Sequence, residues 1–394
     1  MKGEASRWAP GSWRGCEARQ LPEYPDPAAL DAALADIAAF PPLVQASEVQ
    51  ALKTALAEVA AGRAFLVQAG ECAETFADFS LESLALTRGL IDAMAGRIET
   101  ASGVRTVAVG RVAGQFAKPR TRPFERRGRM TLPAWRGDIV NGAEHDRVAR
   151  IPDPVRLFRA WAQAAAGIAH LRSLPGPRPF WTSHEALLLP WEQALVRRDG
   201  AGWYGGSAHL LWIGARTAFA GSAHVELLRG LANPIGLKCG REMRPDTLAR
   251  LLEALDPVRE PGRITLIARM GASRIAEHLP PLIRAAVRGG HPVLWVSDPM
   301  HGNTTRGLSG DKHRRIPDIV AEYEGFVAAV RAESAWPGGL HVEMTPRDVR
   351  ECEDAESSRG GQGPCDPRLN PAQAMVMAEL AGQLIGCEEK AAAA

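Results

Sequence analysis

Eight short β-type runs punctuate the chain from residue 65 onward: FLVQAG, TVAVG, PFWTSH, HLLWIG, PIGLKCG, ITLIARMG, PVLWVSD and LHVEMT. Each ends in polar or glycine residues, and most are followed by a stretch with apolar residues at helical spacing. SLALTRGLIDAMAGRI, VRLFRAWAQAAAGIAHL, PDTLARLLEALD, AEHLPPLIRAAVRGG and PDIVAEYEGFVAAVRAE are the clearest of these helices. Eight βα units in succession predict an α/β chain folded as a (β/α)8 barrel. A doubly wound open sheet fits less well, because eight strands are too many and no GxGxxG follows any of them. Before the first strand, DPAALDAALADIAAF and SEVQALKTALAEVAAG predict two helices, the second starting at Ser47-Glu48 and stopping at Gly62. The expected organisation is a short N-terminal helical extension (1–60), a barrel (61–388) and a tail (389–394). GGQGP, residues 360–364, reads as a flexible loop.

Composition removes several partners. Lys and Arg total 47 against 45 Asp and Glu, a net charge of +2, so no bulk field favours nucleic acid or a membrane surface. No apolar run reaches the roughly 18 residues of a membrane span. The first residues lack the apolar core of a signal peptide, and six cysteines lie scattered without a disulfide framework. A reduced, cytoplasmic protein is expected.

In a barrel, residues just past the strand ends converge on one mouth. Here they are Cys72, Arg111 with Lys118 and Arg120 in its loop, His184-Glu185, Arg216, Lys238, Arg269, His301, and Glu343 with Asp366 beyond it. Any one of these has an ordinary structural explanation: a lone Cys as a small hydrophobe, a lone His as a loop hydrogen bond, a carboxylate as a cap. Together, several cations beside a thiol, an imidazole and two carboxylates point to phosphate and carboxylate recognition next to a divalent metal. The mixed donor set suits Mn²⁺, Co²⁺ or Fe²⁺, with Zn²⁺ able to occupy it. The remaining histidines, among them His145, His170, His278 and His291, read as solvated or structural.

GECAETF, GRVAGQFAKPR, LPAWRGDIVNG, TSHEALLL, IGARTAFAGSAHVE, NPIGLKCG, RMG, DPMHGNT, PGGLHVEMT and CDPRLN follow one another along residues 70–370. In order and spacing they resemble the type II 3-deoxy-D-arabino-heptulosonate 7-phosphate (DAHP) synthases, over about residues 20–388. The resemblance implies a (β/α)8 barrel that condenses phosphoenolpyruvate with erythrose 4-phosphate at a divalent metal, Mn²⁺ or Co²⁺, at the entry to the shikimate pathway. It implies Cys72, His301, Glu343 and Asp366 as metal ligands. Arg111, Arg216, Lys238 and Arg269 would bind phosphoenolpyruvate, and Lys118 and Arg120 would lie near the aldose phosphate. Ala215 would add a backbone N–H if the glutamate it replaces served through its backbone, whereas a role of that carboxylate in orienting Arg216 or a water would be lost. Glu185, Lys118 and His301 are candidates for proton transfer. A homodimer or homotetramer is expected by the same resemblance.

The chain also departs from that pattern. GARTA (214–218) stands where members read GERTR, so Ala215 and Ala218 replace a glutamate and an arginine. Lys312-His313-Arg314 replaces KTR, and Cys239-Gly240-Arg241 replaces VGP after the strand-five lysine. These changes surround the substrates and leave the acceptor open: erythrose 4-phosphate, an amino sugar giving aminoDAHP, or another phosphorylated aldehyde. A barrel without catalysis that binds a ligand or partner is the reading from a different class. The link between AAGIAHLRSLPG and FWTSHEA is short, where long members insert a helical pair for aromatic amino acids or a partner mutase. An enzyme without aromatic feedback, like the short members of secondary-metabolite pathways such as phenazine formation, is therefore expected. Cys365 precedes Asp366, which raises a Cys72–Cys365 redox pair as a further hypothesis.

Overall fold

The computed structural model describes residues 8–127, 130–200, 202–306, 312–353 and 365–392. The 360–364 loop and the last residues of the tail lie outside them.

All eight predicted strands form, and they close into one parallel barrel. In chain order they are β1 (Ala64–Gly70), β2 (Arg105–Arg111), β3 (Phe180–Glu185), β4 (Leu210–Ile213), β5 (Ile235–Gly240), β6 (Ile264–Arg269), β7 (Leu294–Ser297) and β8 (Pro337–Glu343). Each pairs with its chain neighbours, and β1 closes the ring by pairing with both β2 and β8. The runs are largely buried on both faces, as expected of parallel strands covered outside by helices and filled inside by side chains.

Two helices precede the barrel, α1 (Pro27–Ala39) and α2 (Ala46–Ala60). Those after β1 to β8 are α3 (Leu81–Ser102), α4 (Val155–Ser173), α5 (Leu189–Ala194), α6 (Ala223–Arg229), α7 (Pro245–Leu255), α8 (Ile275–Arg288), α9 (Ile316–Ala332) and α10 (Pro371–Ala392). Their ends follow local chemistry. Ser80 caps α3 by accepting from Ser83 N, and Gly103 ends it in the left-handed region at φ 79°. The start of α2 differs from the expectation at Ser47. Gln45 is the N-cap, and Glu48 reaches back to its N–H at 2.7 Å in a capping box, so Ser47 falls inside the first turn.

Leu52, Leu56 and Val59 of α2 join the apolar cluster formed by Leu66, Val109, Trp212, Ile267 and Val296 inside the barrel. This helix therefore closes the N-terminal end and leaves the opposite end for polar side chains. Antiparallel hairpins Phe124–Arg127/Met130–Pro133 and Val196–Asp199/Gly202–Gly205 are inserted after β2 and α5. Among the described residues no helix is long and apolar enough to cross a membrane.

Candidate functional site

Register places the first site contacts. Gly70 of β1 stands opposite Arg111 of β2 and Glu343 of β8. Its φ of 146° and the absence of a side chain are both required, since a Cβ there would lie 2.7 Å from the Arg111 carbonyl. With no side chain between them, Arg111 Nη2 reaches Glu343 Oε1 at 3.0 Å. Glu343 is also held by Arg314 Nη1 at 2.5 Å and by His301 Nε2 at 3.1 Å. Burial alone would raise its pKa, but His301, Arg314 and Arg111 hold it well below the usual carboxylate range.

Beside Glu343, donor atoms of Cys72, Glu343 and Asp366 all lie within 4.8 Å of one another. Asp366 N donates to Cys72 Sγ at 3.2 Å, and Lys118 Nζ lies 2.6 Å from that sulfur and 3.2 Å from Asp366 Oδ2. Lys312 contacts the other oxygen of Asp366. Burial opposes the charge on Lys118, yet Asp366 and Cys72 hold its ammonium above the ordinary lysine range. Burial, a hydrogen bond with Cys365 and the charge of Glu343 push the Cys72 thiol up. Cys72 and Cys365 are thus neighbours, both as free thiols.

His301 is aimed from behind. Asp298, at the end of β7 and fully buried, accepts from its Nδ1 at 2.7 Å, which leaves Nε2 toward Glu343. Asp298 also binds Lys238 Nζ at 2.5 Å. Despite burial, His301 and Lys238 keep Asp298 well below its usual range. Lys238 itself is pushed down to about 8, by burial first and then, against Asp298, by Arg111 and Arg269.

Alternation along the strands decides who faces the mouth. Of the predicted pair His184-Glu185, only Glu185 does. His184 points the other way, its Nε2 2.8 Å from Glu192 of α5. Glu185 packs against Gly214, where any Cβ would fall 2.0 Å from its Oε1. Burial raises its pKa, opposed by the charges of Arg216, Lys238, His301 and Arg111.

Arg269 Nη2 donates to the His301 carbonyl at 3.0 Å, which joins the β6 and β7 ends. Arg216 is exposed and donates to Thr121 Oγ1 at 2.7 Å, at the outer rim, next to exposed Ala215 and buried Ala218. The Arg120 guanidinium contacts the Trp135 carbonyl and ring. Of the predicted residues, Cys72, Glu343 and Asp366 converge with Lys118 beside them, while His301 reaches only Glu343 of that group; Arg111 touches Glu343 and Lys238 lies beneath. Arg120 and Arg216 stand farther out.

Sequence reasoning named Arg314 only as part of a changed motif and did not single out Asp298, Gln68 or His341. The last was left among the structural histidines, yet it lies inside the barrel 2.7 Å from both Arg111 and Lys238. A signal existed: His341 precedes Glu343 by two residues on β8, so both face inward.

Fold and site together define a (β/α)8 enzyme whose mouth gathers metal-capable donors beside several fixed cations. The chain belongs to the Class-II DAHP synthetase family, whose model matches residues 8–178 and 176–382. It is 37% identical over 444 aligned positions to a phospho-2-dehydro-3-deoxyheptonate aldolase of Streptomyces coelicolor, covering 98% of this chain and 99% of that one. A probable enzyme of the same name from Pseudomonas fluorescens is 42% identical over 374 positions, covering 91% and 93%. One from Mycolicibacterium smegmatis is 36% identical over 431 positions, covering 93% and 92%. The 444 positions exceed the 394 residues here, so the Streptomyces relative carries insertions. A solved phospho-2-dehydro-3-deoxyheptonate aldolase from Francisella tularensis shares the fold at TM-score 0.53 and 16% identity, covering 90% of this chain and 96% of that one.

Proposed function

We propose that the protein condenses phosphoenolpyruvate with erythrose 4-phosphate, giving DAHP and phosphate. The observation that carries this reading is the convergence of Cys72, Glu343 and Asp366 beside Lys118, with Arg111 and Lys238 meeting just beneath.

The donors fit a divalent cation: a thiol, two carboxylates and the adjoining His301 Nε2 combine soft and hard ligands of net negative charge. Mn²⁺ or Co²⁺ suits this set, and Fe²⁺ or Zn²⁺ can occupy it. Such an ion supplies Lewis-acid activation of an aldehyde carbonyl.

The protein's own residues provide the rest. Arg111, Lys238 and Arg269 clamp the phosphate and carboxylate of phosphoenolpyruvate, with Arg216 closing from the rim. Arg111 Nε has no hydrogen-bond partner among the described residues, which supports a further acceptor in the bound state. Lys118 and Arg120 orient the aldose phosphate. C3 of phosphoenolpyruvate then forms a bond to the aldehyde carbon, and the aldehyde oxygen takes a proton, with Lys118 Nζ as donor; His301, with Nδ1–H on Asp298 and Nε2 toward the cation, has none to give. Water adds to C2 and yields its proton to Glu185, whose raised pKa suits a general base. The C2–O bond to phosphate breaks as the ketone forms.

The test is to incubate metal-loaded protein with phosphoenolpyruvate and a panel of aldose phosphates and amino-sugar phosphates, following phosphate release and product mass. Release with erythrose 4-phosphate supports the reading. Release only with an amino sugar moves the acceptor, and no release with any aldehyde rejects catalysis.

A further inference from the structure

Beneath the donors, a directional chain of hydrogen bonds runs through the barrel interior and ends on the two buried cations. It starts at the Gly110 carbonyl, which can only accept. Ser183 Oγ donates to it at 3.1 Å, so the Ser183 oxygen is free to accept from Gln68 Nε2 at 2.9 Å. The Gln68 amide thereby turns Oε1 toward His341 Nδ1, 2.8 Å away and opposite it in the β1–β8 register. An amide oxygen cannot donate, so Nδ1 carries the hydrogen and Nε2 keeps its lone pair.

That lone pair faces Arg111 Nη1 and Lys238 Nζ, each at 2.7 Å. Guanidinium and ammonium groups are donors only, and the other tautomer would point a third N–H at them. Gln68, Ser183 and His341 are all fully buried, and Trp212 covers His341 edge-on with ring centroids 5.5 Å apart. Two like charges focused on one atom repel, and a neutral acceptor between them offsets that cost. Arg111 and Lys238 each already pair with one carboxylate, Glu343 and Asp298, and a third in this place would leave the cluster with more negative than positive charge against an anionic substrate. An imidazole accepts from both without competing for them.

We propose that His341 is a positioning residue for phosphoenolpyruvate: its Nε2 lone pair, fixed by the Gly110–Ser183–Gln68 relay, holds Arg111 and Lys238 at one focus so that both address the same anion. The inference rests on the reading of those two residues as phosphoenolpyruvate-binding cations, and the experiment separates the two.

Phosphoenolpyruvate binding is measured by calorimetry and turnover by phosphate release, for the wild type, His341→Leu, His341→Gln and Gln68→Leu, with melting curves and metal content alongside. The glutamine amide at 341 can return an acceptor to the Nε2 position; leucine cannot. His341→Leu and Gln68→Leu are expected to weaken phosphoenolpyruvate roughly ten- to hundredfold, the range for a lost hydrogen bond to a charged group. The KM for the aldose phosphate is expected to move less than about threefold, with His341→Gln close to the wild type. Nitrogen-15 NMR of the wild type, which needs no variant to fold, is expected to show Nδ1 protonated and Nε2 bare. Unchanged phosphoenolpyruvate affinity in His341→Leu, equal losses for both substrates in Leu and Gln variants, or a proton on Nε2 would overturn the assignment. Wild-type protein that binds phosphoenolpyruvate but turns over no aldehyde rejects the proposed reaction while leaving the binding comparison decisive for His341.

Discussion

Lys118 Nζ lies 2.6 Å from Cys72 Sγ, so a buried ammonium and a buried sulfur share one contact at the barrel mouth. Burial pushes the Cys72 thiol up, and the ammonium offsets part of that cost in favour of the thiolate, the form that binds metal. Chelation is expected to abolish turnover and to expose Cys72 to a disulfide reagent; Mn²⁺ or Co²⁺ is expected to restore activity and protect one thiol per chain. Cys72→Ala should lose both the metal and the protected thiol. Thiol counting with and without metal, in wild type and variant, checks this.

Lys238 gives a pH dependence with a definite sign. Its folded pKa of about 8 lies below the ordinary lysine value, so the ammonium proposed to bind phosphoenolpyruvate is present below pH 8 and is lost above it. kcat/KM for phosphoenolpyruvate is expected to fall along a one-proton limb centred near pH 8. The same shift makes the unfolded chain bind more protons between about 8 and 10.4, so this residue's contribution to stability rises with pH across that window. Pre-steady-state binding and urea titrations at several pH values measure the two effects.

Arg314 and Glu343 form a buried ion pair at 2.5 Å. Arg314→Met removes one charge and leaves the other with fewer partners, which is expected to cost about 3–5 kcal/mol of stability. Chemical denaturation of the metal-free protein reads that loss without interference from metal binding.

Glu185→Gln keeps the shape of the side chain and removes the proposed base. A fall in kcat of about 10²–10⁴ with KM values within a few-fold is expected for a general base. An equal fall in binding would assign Glu185 to substrate affinity.

Only residues 174–179 separate α4 from β3. With no helical pair inserted there, millimolar Phe, Tyr or Trp is expected to leave the initial rate unchanged, alone or in pairs.

Much of the barrel was readable because its strands are short, mostly apolar runs buried on both faces, and eight such runs between helices stand out in a chain of this length. The mouth was readable for residues at strand ends, where Cys72, Lys238, Arg269 and Glu343 follow from position alone. What escaped depends on register. Gln68 and His341 are 273 residues apart, and only the closing β1–β8 pair makes them partners. Asp298 sat inside a quoted motif, yet its double contact with Lys238 and His301 needs β5 and β7 in place. The split of His184 from Glu185 was available from strand alternation. The outward positions of Arg120 and Arg216 are set by loop paths that carry no periodic signal.

Cys72 and Asp366 touch across 294 residues of chain, on either side of the seam where the first strand meets the last. A ribosome that has made seven of the eight strands has made only half of the metal-capable donors, since Glu343 and Asp366 are still to come. On the proposed reading, metal loading at this site thus waits for completed synthesis, because a chain released before Glu343 and Asp366 lacks two of the four donors.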